Sequence, residues 1–397
     1  MNMKFSPLVD RIAGEGSDAW ITHYEAWRAR DRGEDVILLS VGDPDIDTPV
    51  PVVDRAVEGL RAGDTHYTPA PGRDSFREAI ALDQSRRNGH EVSAHNVVVT
   101  SGAQNALFIA SLCLAGLGDE VIAFEPMYPT YPATIEVSGA RLIRAGASAK
   151  GGFRPDLDGI KRAITPRTRA LFFATPSNPS GVILNEEELA GIAELALKHD
   201  LWIVADQVYA GLAPDGRVPS LASKLPDRVV TICSLSKSLS MPGWRAGWMV
   251  APLDLALHAE HLVMCMLFGL PGFIQDAGVT ALRIASQAEA NVRDYCARRR
   301  EWMQTGLSGI PGLKCHRPEA GMFMLVDVAE TGLTGREFML ELYAAEKVSV
   351  LDGGVFGAAT TGVVRICFAT EQKTIEDACA RIRRFVSFRS AASATRR

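Results

Sequence analysis

The chain has 397 residues, with 42 lysines and arginines against 47 aspartates and glutamates, for a formal charge of −5. That balance, without a basic stripe, excludes an ordinary nucleic-acid binder. A hydrophobic content of 47% is that of a folded globular protein and excludes a disordered one. Seven scattered cysteines, never spaced as C-x-x-C, read as reduced core thiols and exclude a disulfide framework or a zinc site. The N-terminus, MNMKFSPLVDRIAG, has no apolar core of signal-peptide length. The most apolar run, Leu262 to Leu270, is too short for the roughly 20 residues that span a bilayer. A cytoplasmic chain with no membrane partner is expected, and its length favours two domains or one large domain with a smaller one appended.

In chain order, β-branched runs fall at Val97–Thr100, Val121–Phe124, Ala170–Phe173, Leu201–Ala205, Val229–Cys233 and Ala246–Val250. They are apolar on both faces, as strands covered by helices on each side must be. Between them, Asn185–His199 is apolar at Leu189, Ile192, Ala193, Ala196 and Leu197, which is helical spacing. Such alternation predicts an α/β fold with a mostly parallel central sheet. Ligands of such sheets sit outside the carboxyl ends of the strands. Ser101, Asp206 and Ser234 each directly follow a predicted strand. Residues 290–397 differ, with long charged helices and a strand near Val363–Phe368, and read as a second, smaller domain. The tail after Phe388, RSAASATRR, is expected to fray.

The densest chemical signal is SLSK at Ser234–Lys237, followed by Arg245 in SKSLSMPGWRAG. A lysine in a serine-rich loop after a buried strand can be held against an aldehyde. Its amine must be neutral to attack, and burial beside cations lowers it from the usual ~10.4. Two hydroxyls and a guanidinium nearby suit a phosphate dianion. Asp206 opens Asp206-Gln-Val-Tyr209 at a strand end, where a carboxylate costs desolvation unless it has a partner. A cation at ~4 Å would attract it by about 4 kcal/mol at an effective dielectric of ~20. A helix N-cap is the ordinary alternative. Ser101-Gly-Ala-Gln104 opens a helix whose first N–H groups suit phosphate. Asn178-Pro-Ser-Gly181 alone is a turn. Arg365, inside the apolar run Val364-Arg-Ile-Cys-Phe, needs an anion partner.

In order and spacing, from VGDPDIDTP at Val41 to VRICFAT at Val364, the chain resembles the fold-type-I pyridoxal-phosphate aminotransferases of class I/II. The resemblance implies pyridoxal 5′-phosphate held on Lys237 as a Schiff base, with Lys237 also the general acid/base. Phosphate contacts would come from Ser234, Ser236, Arg245, Ala103 and Gln104. Asp206 would face the ring nitrogen, Tyr209 and Asn178 the ring's O3′, and Tyr128 the ring face. Arg365 would bind the substrate α-carboxylate with help from Asn178 and the backbone of Gly42. Tyr67 would reach the phosphate of a neighbouring subunit, implying a homodimer with shared sites. The implied division is a large cofactor-binding domain at 46–289, and a small domain with the N-terminal segment from 1–45 and 290–397. No metal is implied.

The implied reaction is ping-pong transfer of an amino group from an L-amino acid to a 2-oxo acid. A β-lyase or decarboxylase could use the same fold. An effector domain of a transcriptional regulator would carry a basic module ahead of the match. The stretches RIAGEGSDAWITHY, HLVMCMLFGLPGFIQDA and SVLDGGVFG resemble the arginine–pyruvate branch and imply a basic donor with pyruvate as acceptor, with aspartate, alanine or aromatic donors as the alternatives. Glu15, Asp18 and Asp352 are candidate acids for a cationic side chain. Their ordinary reading is a solvated carboxylate, or for Asp352 a turn cap.

Overall fold

The computed structural model describes residues 4–13, 20–147 and 149–394. Glu15 and Asp18 lie outside them. In chain order the strands are β1 (Ile37–Leu38), β2 (Val97–Thr100), β3 (Glu120–Phe124), β4 (Arg141–Ala145), β5 (Thr168–Ala174), β6 (Trp202–Asp206) and β7 (Val229–Ser234). There follow β8 (Gly247–Val250), β9 (Lys314–His316), β10 (Phe323–Asp327), β11 (Val348–Ser349), β12 (Leu351–Asp352) and β13 (Val363–Cys367). The large sheet runs β2-β8-β7-β6-β5-β3-β4. Pairing is parallel from β7 through β4, and β8 alone runs against both of its neighbours.

Sequence and structure agree here for a plain reason. Every residue of β2, β3, β7 and β8 is buried, so β-branched residues are favoured on both faces. Phe172, Val204 and Val230 pack on one face, with the helices Ala103–Leu114 and Leu253–Met266. Leu171, Phe173 and Ile203 pack on the other, under the helix Glu186–Lys198. Asn185 caps that helix in a reciprocal box with Glu188. Leu197, read as core, is 56% exposed, and Leu195 is buried instead. At 100° per residue Leu197 sits about 140° round the helix from buried Ile192.

Three further departures have simple causes. β4 was not expected from sequence, because it is an edge strand with Arg141 and Arg144 exposed. Asp206 and Ser234 are the last residues of β6 and β7, rather than the residues after them. The helix Gln372–Ala394 continues through residues expected to fray, and Arg389 pairs with Glu341. Small residues there are good helix formers.

The C-terminal sheet is antiparallel in the order β12-β13-β10-β9, and β1 pairs in parallel with β11. Its core joins Ile37 and Leu39 to Val292, Met303, Phe338, Ile375 and Phe385. The position 289/290 falls inside the helix Ala285–Leu307. Cys265 is exposed on its helix, a correction to the reading of all seven cysteines as core thiols. Among the described residues, no helix is long and apolar enough to cross a membrane.

Candidate active site

The carboxyl ends of β5, β6 and β7 deliver Ala174, Asp206 and Ser234 to one cavity of about 170 Å³. Of the residues singled out in the sequence, twelve line it: Gly42, Ala103, Gln104, Tyr128, Asn178, Asp206, Tyr209, Ser234, Ser236, Lys237, Arg245 and Arg365. Tyr67 does not. It is 85% exposed and meets the ring of Phe268 at 4.7 Å. Asp352 does not line the cavity either. Its carboxylate accepts from the N–H of Gly354 at 3.1 Å and caps a short turn.

Asp206 is buried at the end of β6, where the Tyr131 hydroxyl donates to it at 3.0 Å and the Val208 N–H at 3.1 Å. Both partners are neutral, so burial dominates and pushes its carboxyl up to about 6. Among the described residues no cation pairs with it. Lys237 donates from Nζ to the Gly42 carbonyl at 2.6 Å. Burial lowers its pKa, with the charge of Asp43 opposing that shift, which favours the neutral amine a nucleophile needs.

Arg365 is 2% exposed in β13. It donates to the Asn178 side-chain oxygen at 2.8 Å and to the Ser40 carbonyl at 2.6 Å, while its Nε is buried without a partner. Its guanidinium lies over the Phe323 ring at 3.9 Å and 5.0 Å from that of Phe356. Burial lowers its pKa to about 10. A buried guanidinium with an orphaned N–H calls for a planar anion.

The opposite wall is built on close backbone approach. The helix Ala103–Leu114 begins after Gly102, whose φ of +78° suits glycine. A Cβ on Gly247 in β8 would stand 2.5 Å from the Gly102 carbonyl carbon and 2.6 Å from the Ala103 nitrogen. That contact fixes where the unpaired N–H groups at the helix start point. Arg245 takes a left-handed φ of +53° and reaches the Pro242 and Ser101 carbonyls at 2.9 and 3.4 Å. Such a conformation costs a non-glycine residue about 1–3 kcal/mol and marks functional sites. The Gln104 amide is tied at both ends, donating to Thr134 at 2.8 Å and accepting from Thr130 at 2.7 Å.

The sequence reading missed Tyr131, Phe323, Ser40 and Trp20, of which Phe323 and Trp20 line the cavity. Tyr131 stands in the same EPMYPTY motif as Tyr128, a signal that was available. Trp20 and Phe323 carried none, because an aromatic reads as core.

These residues fit a phosphorylated pyridine aldehyde. Asp206 is a buried carboxylate with only neutral partners, suited to a ring nitrogen, burial shifts the Lys237 amine toward its neutral form, and the helix start with Arg245 suits a phosphate.

Comparison with known proteins agrees with this chemistry. The family model "Aminotransferase class I and II" matches residues 34–382. The chain is 44% identical over 382 residues to arginine--pyruvate transaminase AruH of Pseudomonas aeruginosa, covering 96% of this chain and 97% of that protein. It is 33% identical to the aspartate/prephenate aminotransferase of Thermus thermophilus, covering 91% and 93%. Among solved structures, Thermus thermophilus aspartate aminotransferase with maleate superposes with a TM-score of 0.91 at 31% identity, covering 97% of this chain and all of that one. The chain therefore belongs to the class I and II aminotransferases, pyridoxal-phosphate enzymes that move amino groups between amino acids and 2-oxo acids.

Proposed function

We propose that the chain transfers the amino group of a long cationic L-amino acid, arginine before lysine, to pyruvate. The observation that carries the chemistry is the tethering of Arg365 and Lys237 to one segment. Arg365 donates to the Ser40 carbonyl and Lys237 to the Gly42 carbonyl, two residues apart. One amino acid can then meet both, its carboxylate on Arg365 and its Cα beside Lys237. Bound pyridoxal phosphate supplies the electron sink for charge developing at Cα. Lys237 Nζ takes the Cα proton as general base and returns a proton later as general acid. Asp206 keeps a proton on the facing ring nitrogen by its charge. Tyr209 and Asn178 orient the ring oxygen, and Tyr128 covers the ring face. Ser234, Ser236, Arg245 and the N–H groups of Ala103 and Gln104 hold the phosphate.

The donor reading is supported by the 44% identity to an arginine–pyruvate transaminase, against 30–35% for the aspartate aminotransferases and related enzymes. A neutral, immobilised amide at Gln104 also offers no cation to a second carboxylate. The proposed unit is a cytoplasmic homodimer in which Tyr67 reaches the partner's phosphate, divided at 46–289 against 1–45 with 290–397. The shared core of Ile37, Leu39 and residues 292–386 supports that division. A panel of amino donors with pyruvate tests the substrate reading. Arginine should give the highest kcat/KM, and a higher value for aspartate or an aromatic donor would contradict it.

A further inference from the structure

The cavity presents a difficulty for a cationic donor. Asp206 is the one acid among the described residues that line it, and its oxygens already accept from Tyr131 and Val208. Asp352, the described candidate for an ion-pairing role, spends its carboxylate on its own turn. Yet a rigid acid would serve poorly. The same site must hold the bare methyl of pyruvate in the other half-reaction, and a buried carboxylate left unpaired there is costly.

We infer that Trp20 reads the donor's charge, by offering the face of its indole to the guanidinium; this rests on the cationic-donor reading above. Trp20 lines the cavity and packs against Leu351 and Phe356. The Phe356 ring in turn lies 5.0 Å from the Arg365 guanidinium carbon. The indole also meets the His23 ring in a T-shaped arrangement, with centroids 5.6 Å apart. His23 Nδ1 is 2.9 Å from the Ser40 hydroxyl, and the Ser40 carbonyl accepts from Arg365. Two independent chains of contact thus tie Trp20 to the residue that grips the α-carboxylate. Trp20 and Arg365 line one cavity, so a long side chain anchored at Arg365 would meet the indole there. An indole attracts a cation through its ring face, yet keeps no charge to strand when an alanine-sized substrate is bound.

Citrulline has arginine's length and shape without its charge, a carbonyl acceptor replacing one NH2 donor, so the change in the arginine-to-citrulline ratio of kcat/KM at an indole that makes no hydrogen bond to either reports on the charge. In the holoenzyme, Trp20→Leu should cut that ratio by about 5- to 30-fold, the upper part of the range of a cation–π contact. Alanine should lose several-fold less than arginine, and Trp20→Phe, which keeps a ring, should retain most of the preference. A second readout needs no turnover: the calorimetric Kd of 5-guanidinopentanoate, which lacks the amine, should rise in Trp20→Leu while that of pentanoate holds. An unchanged arginine-to-citrulline ratio in Trp20→Leu would overturn the inference and send the charge reading to another acid, such as Glu15 or Asp18. Equal losses for all donors, or Phe failing as badly as Leu, would also overturn it by making Trp20 a structural wall. A wild type that prefers aspartate would instead remove the cationic-donor reading, and the inference with it.

Discussion

Asp206 has neutral partners only, and its carboxyl is carried by burial from the ordinary carboxylate range up to about 6. The consequence for stability has a definite sign. Between pH ~4 and ~6 the unfolded chain has released this proton while the cofactor-free folded chain keeps it, so stability falls as pH rises through that window. At 1.36 kcal/mol per unit the loss is about 3 kcal/mol at most. Comparing denaturant midpoints of cofactor-stripped wild type and Asp206→Asn at pH 4 and 7 should show a smaller fall in the variant. An equal fall in both would place the titration elsewhere. With cofactor bound, the same variant should bind it more weakly and lose most of its rate, while near-wild-type kinetics would reduce Asp206 to a helix cap. Lys237, Asp206 and Arg365 were legible in the sequence because a charge beside an apolar strand demands a partner. Trp20 and Phe323 were not, because an aromatic in a site and an aromatic in a core obey the same burial rule.

Among the elements, the contact of β8 with the start of the helix Ala103–Leu114 decides where the phosphate-binding N–H groups lie. Gly247→Ala would set a methyl 2.5–2.6 Å from backbone atoms that have no side-chain freedom to yield. Overpacking of this kind costs about 1–3 kcal/mol. Most of it should appear as weaker cofactor affinity, on the order of tenfold by equilibrium dialysis; unchanged affinity would show that the approach is incidental. A buried ionic network backs the lysine loop from behind. The Ser238 hydroxyl donates to Glu289 at 2.7 Å, and Arg87 donates to Glu289 at 2.8 and 2.9 Å and to Asp83 at 2.7 Å. Glu289 lies in the helix Ala285–Leu307, whose later residues join the C-terminal core, so one helix braces both the loop and the smaller sheet. The Arg87–Glu289 link was not readable beforehand, because a charge pair 202 residues apart leaves no local pattern. The central strands were readable, since burial on both faces leaves one residue class. The exposed edge strand β4 lacked that constraint.

Across the whole molecule, Tyr67 and Phe268 meet with tilted rings on the surface at 85% and 49% exposure, and Leu253, Leu257 and Met264 of a neighbouring helix are similarly open. Exposed large apolar groups in number mark an interaction face, and the proposed dimer would bury them. Light scattering should give a dimer mass for the wild type and a smaller mass for the double variant Leu257→Asp, Phe268→Asp; a monomeric wild type would contradict the shared site. At this scale the fold class was visible in the alternation of strands and helices. Every role proposed for the site depends on pyridoxal phosphate being carried on Lys237. The direct measurement is borohydride reduction of the purified holoenzyme, which makes the carbon–nitrogen link permanent, followed by peptide mass spectrometry. A pyridoxyl group should appear on the peptide containing Lys237, and none in Lys237→Ala, which should also lose turnover. A pyridoxyl group on a different lysine, or full activity in Lys237→Ala, would contradict it.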